Sequence, residues 1–271
     1  RDVIGSAQHD MALMAANRAL EIDPDCAQAL AALSLLKPAF AEHGEKIRLV
    51  NEALKHTPND GSLHVARAAW LYSVGRLNDA GKALETASLL DPLGPAVEGL
   101  RASLLIARGE TDMAVDIMSA AWARWPDSPF IWYLMWTSLC AARRLDDAEA
   151  MAAPGVPPKR AVSPQDVQVL RDVVGLLRLP REMRRERIAA RLNQIAVEDG
   201  PISISNCVAA VSVGLADQAF DLLNRALDRG RPLRADPFEA FGMARGQTPL
   251  QLFVGAGENR IWKDRRFTAL C

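Results

Sequence analysis

The sequence predicts an all-α fold in which helix-turn-helix pairs stack into an α-solenoid. Ala and Leu dominate the 271 residues, with two Tyr and seven Phe, so strong helix formers outweigh the β-branched and aromatic residues that favour strands. Pro24, Pro58, Pro92 and Pro126 fall 34 residues apart, three times running. Alanines keep the same interval: Ala19, Ala53, Ala87 and Ala121 stand five residues before each proline. Ala12, Ala80 and Ala114 stand seven residues before those, and Lys46 is the exception. A fixed period of this length marks a repeat architecture, in which stacked pairs bury faces that one pair alone would expose.

Each repeated residue has a mechanical reason. Proline lacks an amide hydrogen and disfavours helix in the residue before it, so Ile22-Asp23-Pro24 and Leu90-Asp91-Pro92 each close one helix and open the next. Alanine at a helix crossing lets the axes approach, and a larger side chain there costs ~1 to 3 kcal/mol. Gly75 and Gly109 stand where the first helix of a pair ends, a place that calls for positive φ. Ala68 and Ala102 precede them by seven residues.

Small residues at positions 8, 20 and 27, Gly at 15 and Pro at 32 of a 34-residue unit resemble the tetratricopeptide repeat. That resemblance implies a right-handed superhelix of antiparallel helix pairs. Along the chain, residues 1–26 read as the second helix of a partial first repeat. Residues 27–60 keep Ala53 and Pro58, while Pro38 shortens or kinks their first helix. Residues 61–94 and 95–128 match fully, and 129–153 keep Ala148, so that 1–153 form one array. Pro154, Gly155, Pro157 and Pro158 make 154–162 a linker.

Beyond the linker, residues 163–233 continue the solenoid. Ser163 is an N-cap ahead of Pro164, and that helix runs to about Leu179. Pro180 separates it from a second, Arg181 to about Glu198. Gly214, Ala219 and Ala226 then recover the repeat spacing over 200–233. Residues 234–271 form an irregular tail in which Asp264 caps a last short helix.

In the resembled family the concave surface is lined by positions 2, 5, 9, 12 and 13 of each first helix. Carried over, that gives Ser62, Val65, Ala69, Tyr72 and Ser73, then Ala96, Gly99, Ser103, Ile106 and Ala107, then Phe130, Tyr133, Thr137, Cys140 and Ala141. None is the Lys or Asn with which chaperone-binding members clamp a terminal carboxylate, so no such clamp is expected. The groove suits an extended or helical peptide, from another protein or from a segment of the same one.

Trp122, Trp125, Trp132 and Trp136 cluster with Phe130 and Tyr133. Two readings stand for them: Trp132 and Trp136 as anchors for a partner, or filling of the junction between the repeats and the linker, since helical spacing places residues on one face whatever that face meets. Arg178, Arg181, Arg184, Arg185, Arg187 and Arg191 form a basic cluster in which Glu182 and Glu186 are interleaved. A solvated helix face is the plain reading and a phosphate contact the sharper one.

The chain reads as non-catalytic, with no cofactor and no metal. His9, His43, His56 and His64 lack ligand spacing, Gly255-Ala256-Gly257 lacks the strand and third glycine of a dinucleotide fingerprint, and no phosphate-loop or nucleophile-elbow motif occurs. With 32 basic and 33 acidic side chains, no global field draws in nucleic acid or an anionic membrane. The most apolar stretch, Phe130 to Ala142, is too short to span a bilayer. Four scattered cysteines and the lack of a signal peptide in the first residues fit a reducing, cytoplasmic setting.

Residues 261–270, Ile-Trp-Lys-Asp-Arg-Arg-Phe-Thr-Ala-Leu, resemble the W-x-D-P-R-F-x-x-L segment that closes the tetratricopeptide region of bacterial winged-helix transcriptional regulators, with Arg265 in place of proline. The resemblance implies a protein-interaction or regulatory domain of a larger regulator whose DNA-binding part lies elsewhere. The alternatives are a ligand-sensing domain of a signalling enzyme such as a nucleotide cyclase, or a self-associating scaffold that forms homo-oligomers.

Overall fold

A computed structural model describes residues 2–37, 42–153, 155–156, 164–198, 204–228 and 261–271. The helices are α1 (Asp2–Ile22), α2 (Ala27–Leu36), α3 (His43–His56), α4 (Gly61–Ser73), α5 (Leu77–Leu90), α6 (Pro95–Arg108), α7 (Thr111–Arg124), α8 (Pro129–Ala141) and α9 (Leu145–Met151). Then come α10 (Pro164–Arg178), α11 (Arg181–Glu198), α12 (Ile204–Ser212), α13 (Ala216–Asp228), a 3-10 turn (Ile261–Lys263) and α14 (Arg265–Leu270). No strand occurs among the described residues. Helices adjacent in the chain pack on one another, so the architecture is an α-solenoid.

Local chemistry sets the ends of these helices. The Asp60 carboxylate accepts the amides of Ser62 and Leu63 at 2.9 and 3.4 Å and caps α4. Proline takes the first turn of α6 and α8, where its missing donor costs nothing. Gly75, Gly109 and Gly214 turn the chain after α4, α6 and α12 at φ of 76°, 84° and 79°, the left-handed region in which a Cβ is penalised. At the equivalent place after α8 stands Arg143, at φ 61°. α2 stops at Leu36, before Pro38. The Asp264 side chain accepts from the Arg266 amide and caps α14.

The core is distributed along the solenoid in three clusters, as stacking implies. One joins Ala27, Leu30, Leu49, Ala53 and Leu63 in the first pairs. A second surrounds α8 with residues of α6, α7, α9 and α10. The third is the largest and runs from α4 and α5 through Val97 and Leu104 of α6 to Ile188 and Leu192 of α11, Val211, Phe220 and Leu223 of the last pair, and Ile261, Phe267 and Leu270 of the tail. The repeat alanines serve as their spacing requires: Ala53, Ala87, Ala114 and Ala121 are no more than 1% exposed. Gly99 lets α8 close on α6, since a Cβ there would lie 2.5 Å from Leu134 and 2.8 Å from Phe130.

Candidate functional site

The residues expected to line an open inner groove divide into two groups. Val65, Ala69, Ser103, Ile106, Phe130 and Thr137 are half-buried, whereas Tyr72 and Tyr133 are buried. The Tyr72 hydroxyl donates to the Ser103 carbonyl at 3.3 Å, tying α4 to α6, and burial pushes its phenol well above the usual value. Val65 and Ala107 pack against the large cluster that contains α11 to α14. That cluster joins residues of α4, α5 and α6 to residues of the chain's own C-terminal part. Helical periodicity shows that such a face will be covered, and it does not say by which segment.

The tryptophan anchors need correction. Trp132 is 0% exposed and Trp136 3% exposed, with the Tyr133 ring stacked on Trp136 at a centroid distance of 6.1 Å. Both indoles lie in the core with Met118 of α7, Met151 of α9, and Leu170 and Val174 of α10. α8 is buried from Ile131 to Trp136 because neighbours enclose it on every side, and no partner can reach those rings. Trp122 and Trp125 are half-buried against the same cluster.

On α11, Arg181, Arg185, Arg187 and Arg191 are exposed and Arg184 is half-buried. Among the described residues no ion pair joins them to Glu182 or Glu186. Arg185 donates to the Val213 carbonyl at 3.3 Å and Arg191 to the Gln194 side chain at 2.9 Å. Arg178 bridges instead to Asp146 and Glu149 of α9, both at 2.6 Å, and closes the junction between α9 and α10.

The socket that sequence reasoning missed lies at the N-terminus of α3. The Cys271 carbonyl accepts the His43 amide at 2.9 Å and sits 3.1 Å from its Nδ1, so the tail supplies an acceptor at the first turn of a helix with no side-chain cap. Lys46 lies one turn on, 1% exposed, its ammonium 4.8 Å from the centre of the Trp70 ring. Burial pushes that ammonium down to about 8, against the opposing pull of Glu42 and the Cys271 thiol. Burial likewise raises the Cys271 thiol to about 11.

The tail is held at its other end by Arg266. Its guanidinium pairs with Asp264 and with Asp217 of α13, each at 2.7 Å, and lies 4.7 Å from the Phe220 ring. The signal for this socket was in the sequence: Lys46 is the single departure at the second alanine position.

Among the described residues no group of three His, Cys, Asp or Glu side chains is placed to hold a metal. Burial pushes the Cys140 thiol up to about 12, which disfavours the nucleophilic thiolate. No described helix is long and apolar enough to cross a membrane.

No protein-family model matches the sequence, and no curated protein matches it. Among solved structures the chain is similar to one described as Naa15/Naa10 bound to HypK-THB, at 17% identity and a TM-score of 0.39. The match covers 88% of this chain and 36% of that one, so the chain spans about a third of that neighbour's length.

Proposed function

We propose that this chain is a non-catalytic protein-interaction module whose partner segment docks on the outside of the third and fourth helix pairs, counting α2 and α3 as the second. An open apolar groove of about 450 Å³ between α5, α6 and α7 carries this reading. Leu84, Leu104, Leu105 and Ile117 line it, and Leu89 and Met113 stand at its edge 85% and 55% exposed. Arg101, Arg108 and Glu85 edge the same groove. Apolar walls with charged edges fit one face of an amphipathic helix or an extended segment. A photo-crosslinking side chain at Leu89 captures that partner, and Met113→Asp abolishes the adduct. Labelling that is absent, or indifferent to Met113→Asp, removes the groove from consideration.

The likeness of residues 261–270 to the closing segment of bacterial transcriptional regulators supports a place within such a cytoplasmic protein, with DNA contacted by another domain. The buried positions of Phe267 and Leu270 and the capping role of Asp264 agree with a closing segment. Sequencing the encoding transcript tests this: a DNA-binding domain in frame upholds it, and a cyclase or other catalytic domain in frame replaces it.

A further inference from the structure

The α5–α7 groove is opened by one residue and charged by two others. Counting in steps of 34, Gly81 stands where α3 has Ile47 and α7 has Val115. A Cβ at Gly81 would lie 3.2 Å from the Arg108 guanidinium and 3.5 Å from Leu104. The missing side chain lets Arg108 reach across to α5, where it donates to the Leu77 carbonyl at 3.5 Å. α6 lines the groove with Arg101, Leu104, Leu105 and Arg108, the i, i+3, i+4 and i+7 places of one helix face. The places corresponding to the two arginines hold Arg67 and Val74 one repeat earlier and Met135 and Ala142 one repeat later, so the pair is particular to α6. Both guanidinium groups are exposed. Arg101 shares the Glu98 carboxylate, at 3.4 Å, with Arg124, at 3.9 Å, and among the described residues Arg108 has no carboxylate partner.

We propose that the occupant of this groove is an acidic amphipathic helix of another protein, in which two Asp or Glu residues seven apart enclose two large apolar residues. The inference rests on the reading of the groove as a docking site and names the chemistry of what docks there. Such a helix mirrors α6: its acids meet Arg101 and Arg108, and its apolar pair lies on Leu104 and Leu105. Seven residues of helix advance about 10 Å, which is also the axial separation of Arg101 and Arg108. An extended segment covers that distance in about three residues at ~3.3 Å each. Three steps along a strand carry a side chain to the opposite face, so a strand cannot turn both acids towards α6. Glu85 on α5 adds a preference for a cation on the occupant's flank. No stretch of this sequence sets two acidic residues seven apart around two large apolar ones, so a second copy of the chain does not supply the helix.

Fluorescence anisotropy with the 271-residue chain tests it, the probe being a labelled, helix-stapled synthetic peptide built around Glu-Ala-Ala-Leu-Leu-Ala-Ala-Glu. The expected result is saturable binding that weakens as salt screens the pairs and that Met113→Asp abolishes. The same peptide with Gln in both Glu places binds about tenfold more weakly, through loss of two exposed ion pairs. Arg101→Glu with Arg108→Glu rejects the Glu peptide and accepts one with Lys in those places, with unchanged helical circular dichroism, since both arginines are exposed. Glu and Gln peptides of equal affinity, both lost in Met113→Asp, overturn the acidic occupant and leave the groove as a docking site. An unstapled peptide with Pro in place of one Ala that binds as tightly as the stapled one overturns the helix. Absence of binding by every peptide overturns the inference outright, while the crosslink at Leu89 decides the groove separately.

Discussion

The pair α4–α5 and the pair α2–α3 are built on the same 34-residue plan and diverge, among other places, at the second alanine position. In α5 it holds Ala80, 2% exposed and packed as the spacing demands; in α3 it holds Lys46, equally buried, with its ammonium over Trp70. α4–α5 is closed by its own alanines, whereas α2–α3 is met by the tail, whose Cys271 carbonyl accepts the His43 amide. The difference teaches that a departure from a repeat pattern can mark where the chain docks on itself. A long side chain needs room that a regular crossing lacks, and that room exists where a non-repeating segment takes part in the packing.

The comparison breaks most decisively by giving the regular pair the irregular residue. Ala80→Lys puts an ammonium and three extra carbons into a closely packed crossing, and overpacking plus an unpaired buried charge costs about 4 kcal/mol. Urea denaturation reads this directly, and a loss below 1 kcal/mol would show that the two crossings are equivalent after all. Next comes Phe267→Ala, which empties a site 1% exposed and costs about 3 kcal/mol. If the tail covers Lys46, the same change also returns its ammonium towards the ordinary lysine range, as amine-directed labelling across pH 7 to 10 would show.

Lys46→Met keeps the length of the side chain and removes the charge. Because the folded lysine titrates at about 8 and the unfolded one near 10.5, the folded state binds fewer protons between those values, so stability rises with pH across that window and the penalty is fully present below pH 8. Above pH 9 the Cys271 thiol, raised to about 11, acts in the opposite sense, so the clean interval is pH 8 to 9. Lys46→Met therefore raises stability at pH 7 by about 2 kcal/mol and flattens the slope from 8 to 9. A wild type with no slope there means that the ammonium is solvated. The smallest effect is at Arg143, the arginine standing where Gly75 and Gly109 stand in the regular pairs: Arg143→Gly relieves the left-handed backbone and gains about 0.5 kcal/mol in thermal denaturation, the relief being partly offset by the lost bond to the Leu177 carbonyl at 2.8 Å.

Legibility followed the range of the interactions. Helix ends were readable because Pro24, Gly75, Gly109, Asp264 and Pro38 act on residues within a turn of themselves. The alanine crossings were readable because the repeat brings the same neighbours together each time. Trp132 and Trp136 could be placed on a helix but not assigned to core or surface, since the cluster that encloses them takes in residues of α6, α7, α9 and α10, beyond the reach of local periodicity. The socket on α3 was visible only as an anomaly at Lys46: its partner stands 225 residues away, and no local preference encodes that distance.

By itself, the sequence determined the class, the period and the places where helices begin and end, because these depend on backbone chemistry and on contacts a repeat renews at fixed spacing. Only the tertiary structure decided which faces are covered: α4 to α6 sharing a core with the C-terminal helices, the tryptophans in the core, the tail on His43, and α1 left with methionines in solvent. Burial is a property of what arrives from elsewhere in the chain, and the hydrophobic effect that rewards it is non-directional and indifferent to the source of the covering surface.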